Sequence, residues 1–230
     1  MCPTCLAKRA KMGSFGVSLY LSTPLFMHIA ITGNIGAGKT TLAQLLADHY
    51  HWDVLYEAVE GNPYLADFYG DMARWSFNLQ IYFLNSRFEQ VRKIRESGRS
   101  VIQDRTIYED AYIFAKNLYD TGNMSPRDYE TYRSLFDSML SLVRPPDLMI
   151  YLRADLPKLM GQIKKRGRDF EQAISPDYLM SLNYLYEEFA QTYTGGDLLT
   201  IDVNDLDYAS NPADFQSVIE QIDRQLTVRA

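Results

Sequence analysis

A chain of 230 residues, 47% of them hydrophobic, can bury one substantial core but does not call for a second full domain. Its formal net charge of −6 argues against a polyanion as main partner, so no nucleic acid is expected, and no stretch is long and apolar enough to span a bilayer. Only Cys2 and Cys5 occur, spaced like half of a zinc knuckle, and the three histidines offer no second half; reduced thiols in a cytoplasmic protein are the reading.

In chain order, residues 1–26 come first. Lys8, Arg9 and Lys11 before the partly apolar Phe15 to Phe26 imitate a signal peptide, but no small-residue cleavage site follows. We read 1–26 as a leader, disordered or upstream of a true start at Met27, and 27–230 as one domain. His28 to Thr32 reads as a short buried strand, and Thr41 onward has the apolar spacing of a helix. Between them Gly33-Asn34-Ile35-Gly36-Ala37-Gly38-Lys39-Thr40 matches the Walker A pattern. Such a loop aims backbone N–H groups and a helix N-terminus at phosphate oxygens. The segment Gly33 to Thr41 is therefore expected to hold ATP, with Lys39 on the terminal phosphates and the Thr40 hydroxyl on Mg²⁺.

Four further apolar runs, Asp53–Tyr56, Ser100–Gln103, Leu148–Leu152 and Leu198–Val203, alternate with helical patterns. This predicts an α/β fold with a parallel sheet of about five strands flanked by helices. Arg74 to Glu96 carries no Gly or Pro and is closed by Gly98, so it reads as one long helix. Two more helices are expected over Glu109–Tyr119 and Pro126–Leu142, and Pro145-Pro146 turns the chain into the fourth strand.

Glu57 follows the second strand at the carboxyl edge of the sheet, where open α/β folds bind ligands, and is a candidate general base; a solvated edge residue is the alternative. Asp104 and Arg105 emerge at the same edge after the third strand. Asp104 could sit on Mg²⁺ and Arg105 could fix a phosphate or the base carboxylate, or the two could pair only to hold the strand end. Lys164-Lys165-Arg166-Gly167-Arg168 reads as a mobile basic lid that supplies cations on closure, with a solvated basic face as the alternative.

Together these residues resemble a family. Met27 to about Leu226 resembles the deoxynucleoside kinases of the deoxycytidine, deoxyguanosine and deoxyadenosine kinase group, through Glu57, Tyr69 to Gln80, Asp104-Arg105-Thr106, Tyr108 to Asp110 and Arg166 to Gln172. The resemblance implies a P-loop NTPase fold with a basic lid and ATP-dependent phosphorylation of the 5′-hydroxyl of a deoxynucleoside. It implies Glu57 as the base with Arg105 beside it, Asp104 being the rival for that role. Tyr69 and Glu171 would meet the sugar 3′-hydroxyl, the tyrosine leaving no room for a 2′-hydroxyl. A homodimer and feedback inhibition by a deoxynucleoside triphosphate are also implied.

Tyr69 to Gln80 resembles the family's nucleoside pocket, and Asp110 its aspartate that pairs with the arginine; without the resemblance Gln80 and Arg87, seven residues apart on one face of the long helix, read as surface residues of an amphipathic helix. Gln80 can pair bidentately with a base edge, and an ionised Asp110 suits an exocyclic amino group and disfavours thymine. Arg87 can donate to a purine N7, which favours purine deoxynucleosides, deoxyadenosine first. Gln162 stands where animal members have a further lid arginine, so the phosphate contacts fall to Lys164, Lys165 or Arg166, with Arg168 beyond them. Asp202 to Tyr208 resembles the family's donor-adenine loop at a different length and supplies Asp207 and Tyr208 as donor contacts. Two other readings remain: a thymidylate-kinase-like enzyme, disfavoured because Tyr56 rather than an arginine precedes Glu57, and a non-enzymatic nucleotide switch.

Overall fold

The computed structural model describes residues 26–57, 61–168, 171 and 174–227. The leader, but for Phe26, lies outside the described residues, as do Asp169, Phe170 and Gln172 of the lid motif. The sheet is formed by β1 (His28–Gly33), β2 (Asp53–Leu55), β3 (Val101–Asp104), β4 (Leu148–Arg153) and β5 (Asp197–Asp202). Their order is β2-β3-β1-β4-β5 and every pairing is parallel. The five strands expected from the sequence are all present, their ends displaced by a residue or so. β1 is buried along its whole length, as expected of a central strand covered on both faces.

Helices cover both faces. On one, α1 (Lys39–Tyr50) and α9 (Pro212–Thr227) close a core of Ile29, Ile31, Leu42, Leu46, Ile102, Ile150 and Ile219. On the other, α3 (Met72–Ser97), α6 (Pro126–Leu140) and α8 (Pro176–Thr192) pack with Leu84, Phe136, Met149, Tyr151 and Leu182. The fully buried members of such a core each contribute roughly 1.5–3 kcal/mol by leaving water. The long helix extends two residues further back than the sequence suggested, because the Asp71 carboxylate caps it by accepting from Arg74 N at 3.0 Å. It ends where Gly98 takes the left-handed conformation. Between β2 and α3 lies the short α2 (Leu65–Gly70).

Two expectations are corrected. The helix expected over Glu109–Tyr119 begins at Ile107 and is three pieces in series: α4 (Ile107–Glu109), a π-helical stretch (Asp110–Ala115) and α5 (Lys116–Asp120). Its start is set by Glu109, whose carboxylate accepts from Thr106 N at 2.9 Å. The basic segment is not a free loop throughout: Lys164, Lys165 and Arg166 form the last turn of α7 (Leu156–Arg166), closed by a left-handed Gly167. Cations in a last turn also favour the helix dipole.

Candidate active site

The carboxyl ends of β1, β2 and β3 open into a cavity of about 410 Å³. On its β1 side is the glycine loop. Gly36 sits at φ 87° against α7, where a Cβ would lie 2.6 Å from the Leu159 carbonyl, so a side chain here is barred twice over. Lys39 Nζ folds onto the loop, donating to Gly33 O at 2.7 Å and Asn34 O at 2.9 Å. Burial, with some help from Arg105, pushes the Lys39 ammonium down to about 8 against the pull of Asp104, Glu109 and Glu57. The Thr40 hydroxyl donates to Asp104 Oδ2 at 2.5 Å, leaving Asp104 Oδ1 buried without a hydrogen-bond partner. A hydroxyl beside a half-satisfied carboxylate is a donor set suited to a hard divalent cation.

Arg105 turns the chain out of β3 with φ 71°, a left-handed conformation that an L side chain adopts only when its surroundings hold it there. Its N–H donates to Ile31 O at 3.0 Å. Its guanidinium donates to Glu57 Oε2 at 2.9 Å, Glu109 Oε1 at 3.3 Å and the Tyr186 hydroxyl at 3.0 Å, and lies 4.7 Å above the Phe114 ring. Tyr186 in turn donates to Glu109 Oε1 at 2.8 Å. Glu57 receives a second guanidinium, Arg87, on Oε1 at 3.0 Å. Burial alone would raise the Glu57 carboxyl; Arg105, Arg87 and Lys39 outweigh it and hold it at about 2.

The same cavity is further lined by Tyr69, Gln80, Phe83, Asp110, Phe114 and Tyr178. Gln80 Oε1 is buried with no hydrogen-bond partner. Asp110 Oδ2 stands 3.6 Å from Arg87 Nε, too far for a hydrogen bond. Burial lifts Asp110 to about 7, with Glu57 and Glu109 adding to it and the Arg87 cation only partly offsetting it. Asp110 is therefore the acceptor-only group the sequence suggested mainly above that pH. Arg87 is not among the residues that line the cavity. Its side chain is fully buried and its guanidinium donates to Glu57 and Gln90, while Nε is left without a hydrogen-bond partner.

At the lid, Arg166 makes a bidentate pair with Glu171 (2.9 and 2.5 Å) and Arg168 approaches the same carboxylate at 3.4 Å. All three line the main cavity, whereas Lys165 faces a second, smaller cleft of about 60 Å³. Ala37, Gly38, Thr41, Lys158, Gln162, Asp207 and Tyr208 also line that cleft. The Tyr208 hydroxyl donates to Ala37 O at 3.2 Å. Lys158 Nζ donates to Asn204 O at 3.2 Å and Leu206 O at 2.9 Å, tying this loop to α7.

The structure thus brings Lys39, Thr40, Glu57, Tyr69, Gln80, Asp104, Arg105, Asp110, Arg166, Arg168 and Glu171 to one cavity, and Thr41, Asp207 and Tyr208 to its neighbour. Sequence reasoning missed Phe83, Phe114, Tyr178, Glu109 and Tyr186. Phe83, three residues after Gln80, was legible from helical spacing, and Glu109 from its place three after Thr106. Tyr178 and Tyr186 reach the site from α8 and carried no local signal.

The deoxynucleoside kinase family model matches residues 29–227. The deoxyadenosine/deoxycytidine kinase of Bacillus subtilis is 39% identical over 196 residues, covering 84% of this chain and 90% of that one. A deoxyadenosine kinase of Dictyostelium discoideum is 48% identical over 164 residues, covering 71% of this chain and 66% of its own. The solved structure of deoxyadenosine kinase from M. mycoides with bound dATP superposes with a TM-score of 0.76 at 32% identity, covering 86% of this chain and 99% of that one. With its parallel sheet, glycine loop and carboxylate-lined cavity, the chain belongs to the deoxynucleoside kinase family.

Proposed function

We propose that the protein transfers the γ-phosphoryl group of ATP to the 5′-hydroxyl of a deoxynucleoside, with deoxyadenosine the preferred acceptor. The observation that carries this reading is the position of Glu57, in one cavity with Lys39 and Thr40 at one end and Gln80 and Asp110 at the other. Glu57 accepts the 5′-hydroxyl proton and orients its oxygen. A carboxylate this acidic serves because phosphoryl transfer has a loose transition state and asks more for positioning than for a strong base. Arg105 holds the carboxylate and, with Arg166, faces the charge that develops on the transferred group.

Lys39 exchanges the Gly33 and Asn34 carbonyls for donor phosphate oxygens. Thr40 and Asp104 would hold Mg²⁺, the free Asp104 Oδ1 being the oxygen that fits it. When bound, the ion neutralises donor phosphate charge. Tyr69 and Glu171 take the sugar 3′-hydroxyl, and the tyrosine excludes a 2′-hydroxyl. Gln80 and ionised Asp110 read the base edge between Phe83 and Phe114, and the amino group of adenine suits Asp110 better than the carbonyl O4 of thymine. The names of the similar kinases support deoxyadenosine as the first choice. Asp207 and Tyr208 contact the donor adenine. A cytoplasmic homodimer completes the proposal, on the family resemblance and the reduced thiols.

The test is ADP release with ATP and Mg²⁺ against deoxyadenosine, deoxyguanosine, deoxycytidine, thymidine and thymidine monophosphate in parallel. Turnover highest with a purine deoxynucleoside is the expected result. Turnover with the monophosphate alone would overturn the neutral-acceptor reading and the roles of Tyr69 and Glu171.

A further inference from the structure

Beneath the acceptor end lies a run of polar side chains that the reaction does not touch: His28 on β1, Gln103 on β3 and Gln90 on α3. Gln90 Oε1 accepts from Arg87 at 3.3 Å and from Gln103 Nε2 at 3.2 Å, while Gln90 Nε2 donates to the Tyr56 carbonyl at 2.7 Å. A guanidinium only donates and a carbonyl only accepts, so the Gln90 amide has one satisfactory orientation. That orientation propagates. Gln103 turns its NH₂ to Gln90, which leaves its Oε1 for His28 Nε2 at 2.8 Å, and His28 donates.

The place of this amide explains why it matters. The β2–β3 ladder ends at Leu55, paired with Gln103, so Tyr56 and Glu57 lie beyond the last sheet pairing. The hydrogen bond from Gln90 takes over where the ladder stops, one residue before the carboxylate. The same side chain steadies the guanidinium that pairs with Glu57 Oε1.

We propose that Gln90 is a positioning residue for phosphoryl transfer, fixing Glu57 both through its preceding carbonyl and through Arg87. The proposal rests on the role given to Glu57 above. Gln90→Leu removes both contacts. Gln90→Glu keeps the acceptor toward Arg87 and nearly the same shape, but cannot donate to the Tyr56 carbonyl when ionised, and so tests the tether where the leucine variant fails to fold.

Steady-state kinetics with deoxyadenosine and ATP, together with melting curves, provide the readout. The expected result is a fall in kcat of about ten- to a hundredfold in Gln90→Glu, the cost of a displaced catalytic group, with the KM for ATP unchanged. A fall in melting temperature with kcat intact would assign Gln90 to stability alone and overturn the proposal, as would wild-type kcat in folded variants. Glu57→Gln in the same assay separates the two failures. Full activity there removes the base and with it this proposal, while activity only in the Gln90 variants removes the positioning role and leaves the base in place.

Discussion

Glu57 keeps its charge at any pH near neutrality because two guanidiniums outweigh the cost of burying it. If that charge receives the 5′-hydroxyl proton, Glu57→Gln lowers kcat by at least about a hundredfold while nucleoside affinity, read by calorimetry, changes little. Near-normal turnover would pass the role to Asp104. Asp110 behaves in the opposite way, since burial holds it protonated up to about pH 7. Below that pH its neutral carboxyl can donate; above it the carboxylate only accepts. The preference for deoxyadenosine over deoxyinosine, which carries an oxygen in place of the amino group, should therefore grow between pH 6 and 8 as a ratio of kcat/KM values. Asp110→Asn should flatten that rise; a ratio that stays level in the wild type would show that Asp110 does not read this position.

At the scale of elements, the glycine loop is tethered as much by α8 as by its own strand and helix. Asn34 Nδ2 donates to Leu179 O at 2.9 Å and to Asn183 Oδ1 at 2.5 Å, and Asn183 donates onward to Ala154 O at 2.9 Å. Asn183→Leu removes one of the two hydrogen bonds that the buried Asn34 amide donates and leaves the one to Leu179 O, so the KM for ATP should rise several-fold while that for deoxyadenosine holds; equal changes in both would argue for a general loss of packing. The elements themselves were largely legible. Apolar runs marked each strand, and the Gly and Pro breaks marked most helix ends. What the pattern could not show was the π-helical stretch, which starts at Asp110, close to Arg87, and carries Phe114 beneath Arg105. Its wider turn answers to those partners, which lie far off in sequence, and such bulges recur at functional sites. The partners of Arg87 were hidden for a similar reason: helical spacing gave its face, but only the fold shows that Glu57 and Gln90 hold its guanidinium.

For the whole molecule, the burial of so many charges makes stability depend on pH in a readable direction. The Glu57 carboxyl lies below its ordinary value of 4.5 in the folded state, at about 2. Between those values the unfolded chain binds more protons, so stability rises with pH there and is lost as acid is added. The urea midpoint should thus fall from pH 5 to pH 3, less steeply in Glu57→Gln; parallel curves would mean that other carboxylates carry the acid sensitivity. The reach of the sequence ended at this scale too. The sheet and its carboxyl-edge site were legible because they follow from strands in series, but the separation into a cavity of about 410 Å³ and a cleft of about 60 Å³ depends on how α7, α8 and the Tyr208 loop meet.

The polar run under the sheet also bears on how the chain finds its fold. In β3, Gln103 faces α3 while Asp104, one residue on, turns to the opposite face and meets Thr40. Sliding β3 by one position against β1 would swap the two, burying a carboxylate against α3 and stranding His28, Gln90 and Thr40 at once. Apolar strands alone tolerate such slips far better, because one aliphatic side chain replaces another. The polar run and the residues proposed to serve phosphoryl transfer thereby also act as a proofreading device for strand alignment: a mispaired sheet would bury the Asp104 carboxylate and leave His28 without its partner before any substrate arrived.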